Sequence, residues 1–129
     1  MTRMNADKGT YGDRDGATHW GEGEEVVPIM RVRDAETAVA WYARLGFTKV
    51  WEHRFEEGFP LFVEIERGTV RLFLSEHEGD ARPDTLIYLR LREVEPLARE
   101  FDVEVSVQPW AREIELHDPD GNRLRIGAP

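Results

Sequence analysis

The chain has 129 residues, 26 of them acidic and 17 basic, for a formal net charge of −9 and no cysteine. A length that suits one domain, burying roughly two thirds of its unfolded surface, argues against a two-domain enzyme and needs no metal for stability; without cysteine there is no disulfide, zinc finger, iron–sulfur cluster or thiol nucleophile. The acidity disfavours nucleic acid and anionic membrane as partners, since both present phosphate, and with no apolar run near the roughly 18 residues of a bilayer crossing and no signal-peptide core a cytoplasmic protein is expected.

Residues 1–24 contain no Val, Ile, Leu or Phe and are dense in Gly, Asp and Glu. Such a stretch buries too little to offset its ordering entropy. It is expected as a disordered acidic tail ahead of a single domain over 25–129; the alternative is a lid anchored by Tyr11, His19 and Trp20. From Val26 the pattern changes. VVPIMRVRD reads as a strand, and Asp34 then caps a helix with Glu36 in its first turn. Ala35, Ala38, Val39 and Tyr42 fall on one helical face, and Gly46 ends the helix. Three strands follow, FTKVWEHRF, LFVEIE and TVRLFLS, with turns at Glu57-Gly58 and Arg67-Gly68.

A shift of 59 residues repeats the beginning of this unit. Thr85–Arg92 is a strand, Glu93 takes the place of the Asp34 cap, and Val94, Leu97, Ala98 and Phe101 restore the helical face. Three short strands follow again, around Glu104–Val107, Ala111–His117 and Asn122–Ile126, the last after the turn Asp118-Pro119-Asp120-Gly121. The expected fold is α+β: two tandem βαβββ units, about 26–76 and 85–127, forming a curved half-barrel sheet around a cleft. Each sheet covers one face with its helix and leaves the other open for something to fill. Two chains can complete each other's clefts.

The repeat resembles the vicinal oxygen chelate superfamily, which includes glyoxalase I, fosfomycin resistance proteins, extradiol dioxygenases and bleomycin resistance proteins. Its bleomycin-binding branch is the most similar. The segments that carry this are VPIMRVRD, RLGF, LFLS, PDTL and QPWAREIELHDPDGN. The superfamily's enzymes hold a divalent metal through His and Glu on four inward strand positions, and the resemblance places Val27, Phe73, Leu86 and Arg125 there. None is a metal ligand, and Arg125 opposes a dication. The resemblance therefore implies no cofactor, no catalytic residue and a binding function: sequestration of a bleomycin-family antibiotic at the interface of a homodimer, giving resistance. Alternatives are a metal-dependent lyase or dioxygenase with rearranged ligands, drawn from His19, His53, His77 and His117 with Glu64 or Glu113, or a module for another small aromatic or anionic molecule.

Bleomycin-type drugs combine a planar bithiazole with a cationic tail, so a cleft needs aromatic faces and carboxylates. Trp110, in the matching QPW motif, is expected to stack on the planar rings. Trp51 is expected as a second wall, and Phe55 and Phe59 as the other side of a sandwich. Ser75 and Asp84 match polar positions near the cleft, and Tyr88 and Arg31 complete the candidate ligand-binding set. Glu52, Glu56 and Glu57 are placed to attract the tail. Pro28 and Trp41 are read as packing residues. Strand alternation points Arg31, Arg90, Arg123 and Arg125 inward with Val27. That basic lining suits an anion better unless Glu64, Glu66, Glu113 or Glu115 neutralises it across the strands.

Overall fold

The computed structural model describes Trp20 and residues 22–129; Tyr11, His19 and nearly all of the expected tail lie outside the described residues. Both units form. The first has β1 (Ile29–Arg31), α1 (Ala35–Ala43), β2 (Thr48–Arg54), β3 (Leu61–Arg67) and β4 (Val70–Ser75). The second has β5 (Leu86–Arg90), α2 (Glu95–Phe101), β6 (Ser106–Gln108), β7 (Ala111–His117) and β8 (Arg123–Ala128).

Asp34 caps α1 as the sequence predicts: its carboxylate accepts from the Glu36 amide at 3.2 Å and the Thr37 hydroxyl at 2.9 Å. These bonds satisfy an amide that the helix itself cannot. Gly46, at φ +93°, then turns the chain away in a conformation that other residues adopt at a cost. The second helix corrects the expectation for Glu93. Its N-cap is Val94, without a side-chain cap bond, and a proline stands in its first turn. There the missing proline N–H costs nothing, and the fully buried Val94 side chain fixes the entry of the chain instead.

The sheets run β1-β4-β3-β2 and β5-β8-β7-β6. In each, the first strand pairs parallel with the last, Ile29 opposite Phe73 and Tyr88 opposite Arg125, and the remaining pairs are antiparallel. β1 is shorter than the apolar run suggests, because Pro28 has no N–H to give; its carbonyl still accepts from the Phe73 amide at 2.9 Å. Alternation sends Met30, Val63, Ile65, Leu72 and Leu74 into the core from one sheet. From the other it sends Leu89, Ile114, Leu116, Leu124 and Ile126. The opposite faces stay open, since neither sheet closes on itself.

The units are joined through buried polar groups as well as apolar ones. Tyr42 Oη donates to Asp118 Oδ2 at 2.9 Å, and Asn122 Nδ2 donates to the Arg31 carbonyl at 2.9 Å. The Asp118–Asn122 turn therefore clamps the second unit to the first. Burial, reinforced by the Asp118 charge, pushes the Tyr42 hydroxyl far above its ordinary value and keeps it a donor. On the helix side, Trp41 packs on Phe101 with ring centroids 5.2 Å apart, and the Arg44 guanidinium lies 4.2 Å from the same ring.

Candidate binding cleft

Because Ile114 and Leu116 point to the core, Glu113 and Glu115 emerge on the open face of the second sheet. Glu113 is only 6% exposed, a position that a carboxylate tolerates only when fully hydrogen-bonded. Its Oε2 accepts from Tyr88 Oη at 2.7 Å and Trp110 Nε1 at 2.6 Å, and its Oε1 from Arg125 Nη2 at 2.8 Å. The Arg125 guanidinium first, then the Tyr88 hydroxyl, hold the carboxyl down to about 2 against the opposing effect of desolvation. The same bond to Glu113 raises Tyr88 above the ordinary phenol value. Arg125 also lies 5.5 Å from the centroid of the Tyr88 ring.

Gly127 makes this cluster possible. A Cβ there would collide with the Tyr88 hydroxyl and come within 2.9 Å of its Cζ, so only glycine lets the ring lie across β8 to reach Glu113. Trp110 and Tyr88 remain 63% and 40% exposed although their polar atoms are committed. Two aromatic surfaces are thus presented to solvent in fixed orientations.

The open face of the first sheet is aromatic. Phe62 and Phe73 pack with ring centroids 4.7 Å apart, Trp51 meets Phe62 edge-on at 6.3 Å, and His53 stacks on Trp51 at 6.3 Å. Beside them the buried Glu64 accepts from Arg71 at 3.3 Å, and Arg71 also lies 3.4 Å from Glu66.

Among the expected site residues, the structure brings Trp110 and Tyr88 together and sets Trp51 in the aromatic wall. Phe55 and Phe59 are exposed in the β2–β3 turn, packed on each other at 5.9 Å. Ser75 is fully buried; its hydroxyl donates to Asp80 at 2.6 Å and accepts from the His77 amide at 3.1 Å. That hydroxyl fixes the turn after β4, a correction to its expected place at the cleft. The Arg31 guanidinium is likewise spent on the backbone carbonyls of Val32 and Ser75. Asp84 is exposed in the turn before β5, at φ +64°.

The basic lining is partly neutralised across strands, by Glu113 on Arg125 and by Glu115 on Arg123 at 3.2 Å. Glu64 and Glu66 serve Arg71 instead. Two central residues were not among the ligand-binding residues expected from the sequence. Glu113 appeared there only as one of several possible partners for arginine and as a ligand in the alternative metal site, and Gly127 not at all. The signal available was the β7 alternation Glu113-Ile114-Glu115-Leu116, which puts a carboxylate beside Arg125.

The four positions that the resemblance assigns to the metal of the superfamily's enzymes do not fit one here. Val27, Phe73 and Leu86 have no donor atom, and Arg125 is committed as a cation to Glu113. Among the described residues no group of three or more His, Asp or Glu side chains is placed to hold an ion.

Between the β3–β4 turn and the open face of the second sheet lies a cavity of about 890 Å3, bordered by Val70, Tyr88, Trp110 and Gly127. No described helix is long and apolar enough to cross a membrane.

The model of the glyoxalase superfamily proteins matches residues 16–128. No curated protein matches the sequence significantly. Among solved structures, a bleomycin-binding protein complexed with bleomycin is 23% identical, with a TM-score of 0.65, over 83% of this chain and 99% of that one. The bleomycin-binding protein of Streptomyces verticillus, complexed with copper(II)-bleomycin, is also 23% identical, with a TM-score of 0.61, over 85% and 99%. TnmS3, an antibiotic binding protein from a Streptomyces species, is 20% identical, with a TM-score of 0.64, over 85% and 99%. At these identities the likeness shows the fold.

Proposed function

Since the chain belongs to the glyoxalase superfamily, we propose that it is one of the superfamily's non-enzymatic members, a cytoplasmic homodimer that sequesters a bleomycin-type antibiotic and so gives resistance to it. The observation that carries this reading is the fixing of an exposed Trp110 through its indole N–H to the ionised Glu113. An aromatic plane held in place before the ligand arrives loses little side-chain entropy on stacking. The Trp51, Phe62 and Phe73 wall supplies further ring surface for the planar part of such a drug. Glu56 and Glu57, exposed in the β2–β3 turn, suit its cationic tail. The apolar side chains at Val27, Phe73 and Leu86 and the cation at Arg125 favour capture over metal-assisted chemistry.

A tryptophan-fluorescence titration with bleomycin and phleomycin tests the proposal. Quenching is expected to saturate near one drug per chain and to disappear in Trp110→Ala. Flat titrations with both drugs overturn the reading. A purified protein that holds zinc, nickel, manganese or iron tightly and stoichiometrically moves it to the superfamily's enzymes.

A further inference from the structure

The cavity between the two units carries a charge opposite to that of the chain. Arg67, Arg90 and Arg92 line it, and no Asp or Glu among the described residues does, although the whole chain is at −9. The arginines within ion-pair distance of carboxylates among the described residues are Arg33, Arg44, Arg71, Arg112, Arg123 and Arg125. None of the three in the cavity is among them. Arg67 is half-buried and its guanidinium is held at the end of α1, its Nη1 donating to the Leu45 carbonyl at 2.6 Å, which leaves Arg90 and Arg92 as the cations free to meet a ligand. Arg90 shares the open face of β5 with Tyr88, and Arg92 follows one turn of alternation later, both exposed, with Leu91 between them pointing to the core. Pro129, also at this cavity, has its backbone oxygen held by Arg112.

Arg90 and Arg92 are two exposed guanidinium groups at one hollow without a carboxylate of the described residues in ion-pair distance, and an anion offsets such charge most strongly where water is partly displaced. Guanidinium pairs with carboxylate or phosphate oxygens through parallel hydrogen bonds. Tyr88 and Trp110 border the same cavity and offer ring faces. We infer that this cavity is a binding site for a small planar aromatic anion, its acidic group on Arg90 and Arg92 and its ring against Tyr88 and Trp110. This goes beyond the antibiotic reading and does not depend on it. Carboxylate and phosphate share the chemistry, and the surrounding negative charge admits such an ion only at close range.

The test is a charge series on one ring: 2-naphthoate, 2-naphthyl phosphate, the neutral 2-naphthamide and the cationic 2-naphthylmethylamine, each titrated calorimetrically, with inorganic phosphate as the ring-free control. Naphthoate or naphthyl phosphate is expected to bind saturably, about tenfold or more tighter than the amide, with the amine and inorganic phosphate weaker still. The preference between the two anions identifies the acidic group. In the Arg90→Gln/Arg92→Gln variant, checked for native circular dichroism, the advantage of the anion over the amide should vanish. Equal binding of anion and amide, no saturable binding of either anion, or an advantage that survives the double substitution overturns the inference. Bleomycin titrated into the same wild-type preparation keeps the two readings apart: anions bound without bleomycin sinks only the antibiotic reading, and bleomycin without anions sinks only this one.

Discussion

The two units agree on one face of their sheets and disagree on the other. Strand register matches Met30 with Leu89, Leu72 with Leu124, Leu74 with Ile126, Val63 with Ile114 and Ile65 with Leu116, all buried and all apolar. On the open side the same register matches Ile29 with Tyr88, Phe73 with Arg125, Phe62 with Glu113 and Ser75 with Gly127. The core face answers to packing, which penalises each change of volume or polarity. The open face is not bound by the same core packing, so a duplicated unit is freer to differ there. The four open-face differences also depend on one another. A carboxylate at 113 needs the donors at 88, 110 and 125, and a ring at 88 needs the space left at 127.

The largest effects test the agreement. Leu74→Ala and Ile126→Ala remove equivalent core side chains, and each should cost about 2–5 kcal/mol of unfolding free energy, the range for large-to-small core substitutions. Urea denaturation measures both. Near-equal losses support equivalent cores; a substitution that costs almost nothing at one site and several kcal/mol at the other breaks the comparison.

The next effect tests the disagreement. Glu113→Gln leaves Arg125 without its counter-charge and Tyr88 and Trp110 without a shared ionised acceptor. Bleomycin affinity should fall on the order of tenfold to a hundredfold, the range for losing a charge-assisted hydrogen bond. Phe62→Leu at the matching position of the first unit removes ring area alone and should cost less. If fluorescence titrations give Glu113→Gln the affinity of the parent protein, the carboxylate does not organise the cleft.

This asymmetry also explains what the sequence could disclose. The repeat, both helical faces and the order of strands follow from apolar periodicity, which packing enforces in both units. Asp34 was readable as a cap because its side chain acts on groups two and three residues ahead, the Glu36 amide and the Thr37 hydroxyl. Glu93 was not, because the buried Val94 and the proline behind it decided how the second helix starts. Trp110 was singled out through its motif. Its anchor was hidden, since Tyr88, Glu113 and Arg125 lie on three different strands and their convergence is a property of register. Ser75 misled for a related reason: a hydroxyl at a strand end looks the same in sequence whether it faces a cleft or closes a turn.

Gly127 and Ser75 occupy matching positions, so small substitutions there sharpen the comparison. Gly127→Ala should displace Tyr88 from Glu113 and weaken drug binding roughly threefold to tenfold while the sheet persists. Ser75→Ala should cost about 0.5–1.5 kcal/mol through the bonds to Asp80 and the His77 amide, measured by urea denaturation, and leave binding alone. Binding lost in Ser75→Ala but kept in Gly127→Ala would reverse the assignment of the cleft to the second unit.

The smallest effect concerns acid. Glu113 has its folded value depressed to about 2 from an ordinary 4.5 by Arg125 and Tyr88, whereas its counterpart Phe62 does not titrate. A depressed carboxyl contributes stability that is present above its unfolded value and is lost as the pH falls through the folded one. The second unit should therefore lose the support of Glu113 only between about pH 4.5 and 2, with the first unit's open face unaffected by this group. A carbon-13 NMR titration of the Glu113 carboxyl should give a midpoint near 2, moving up toward the ordinary range in Arg125→Gln as the main source of the depression is removed. A midpoint near 4.5 in the parent protein would mean that the three donors do not hold this carboxylate in solution, and Trp110 would lose the anchor on which its presentation depends.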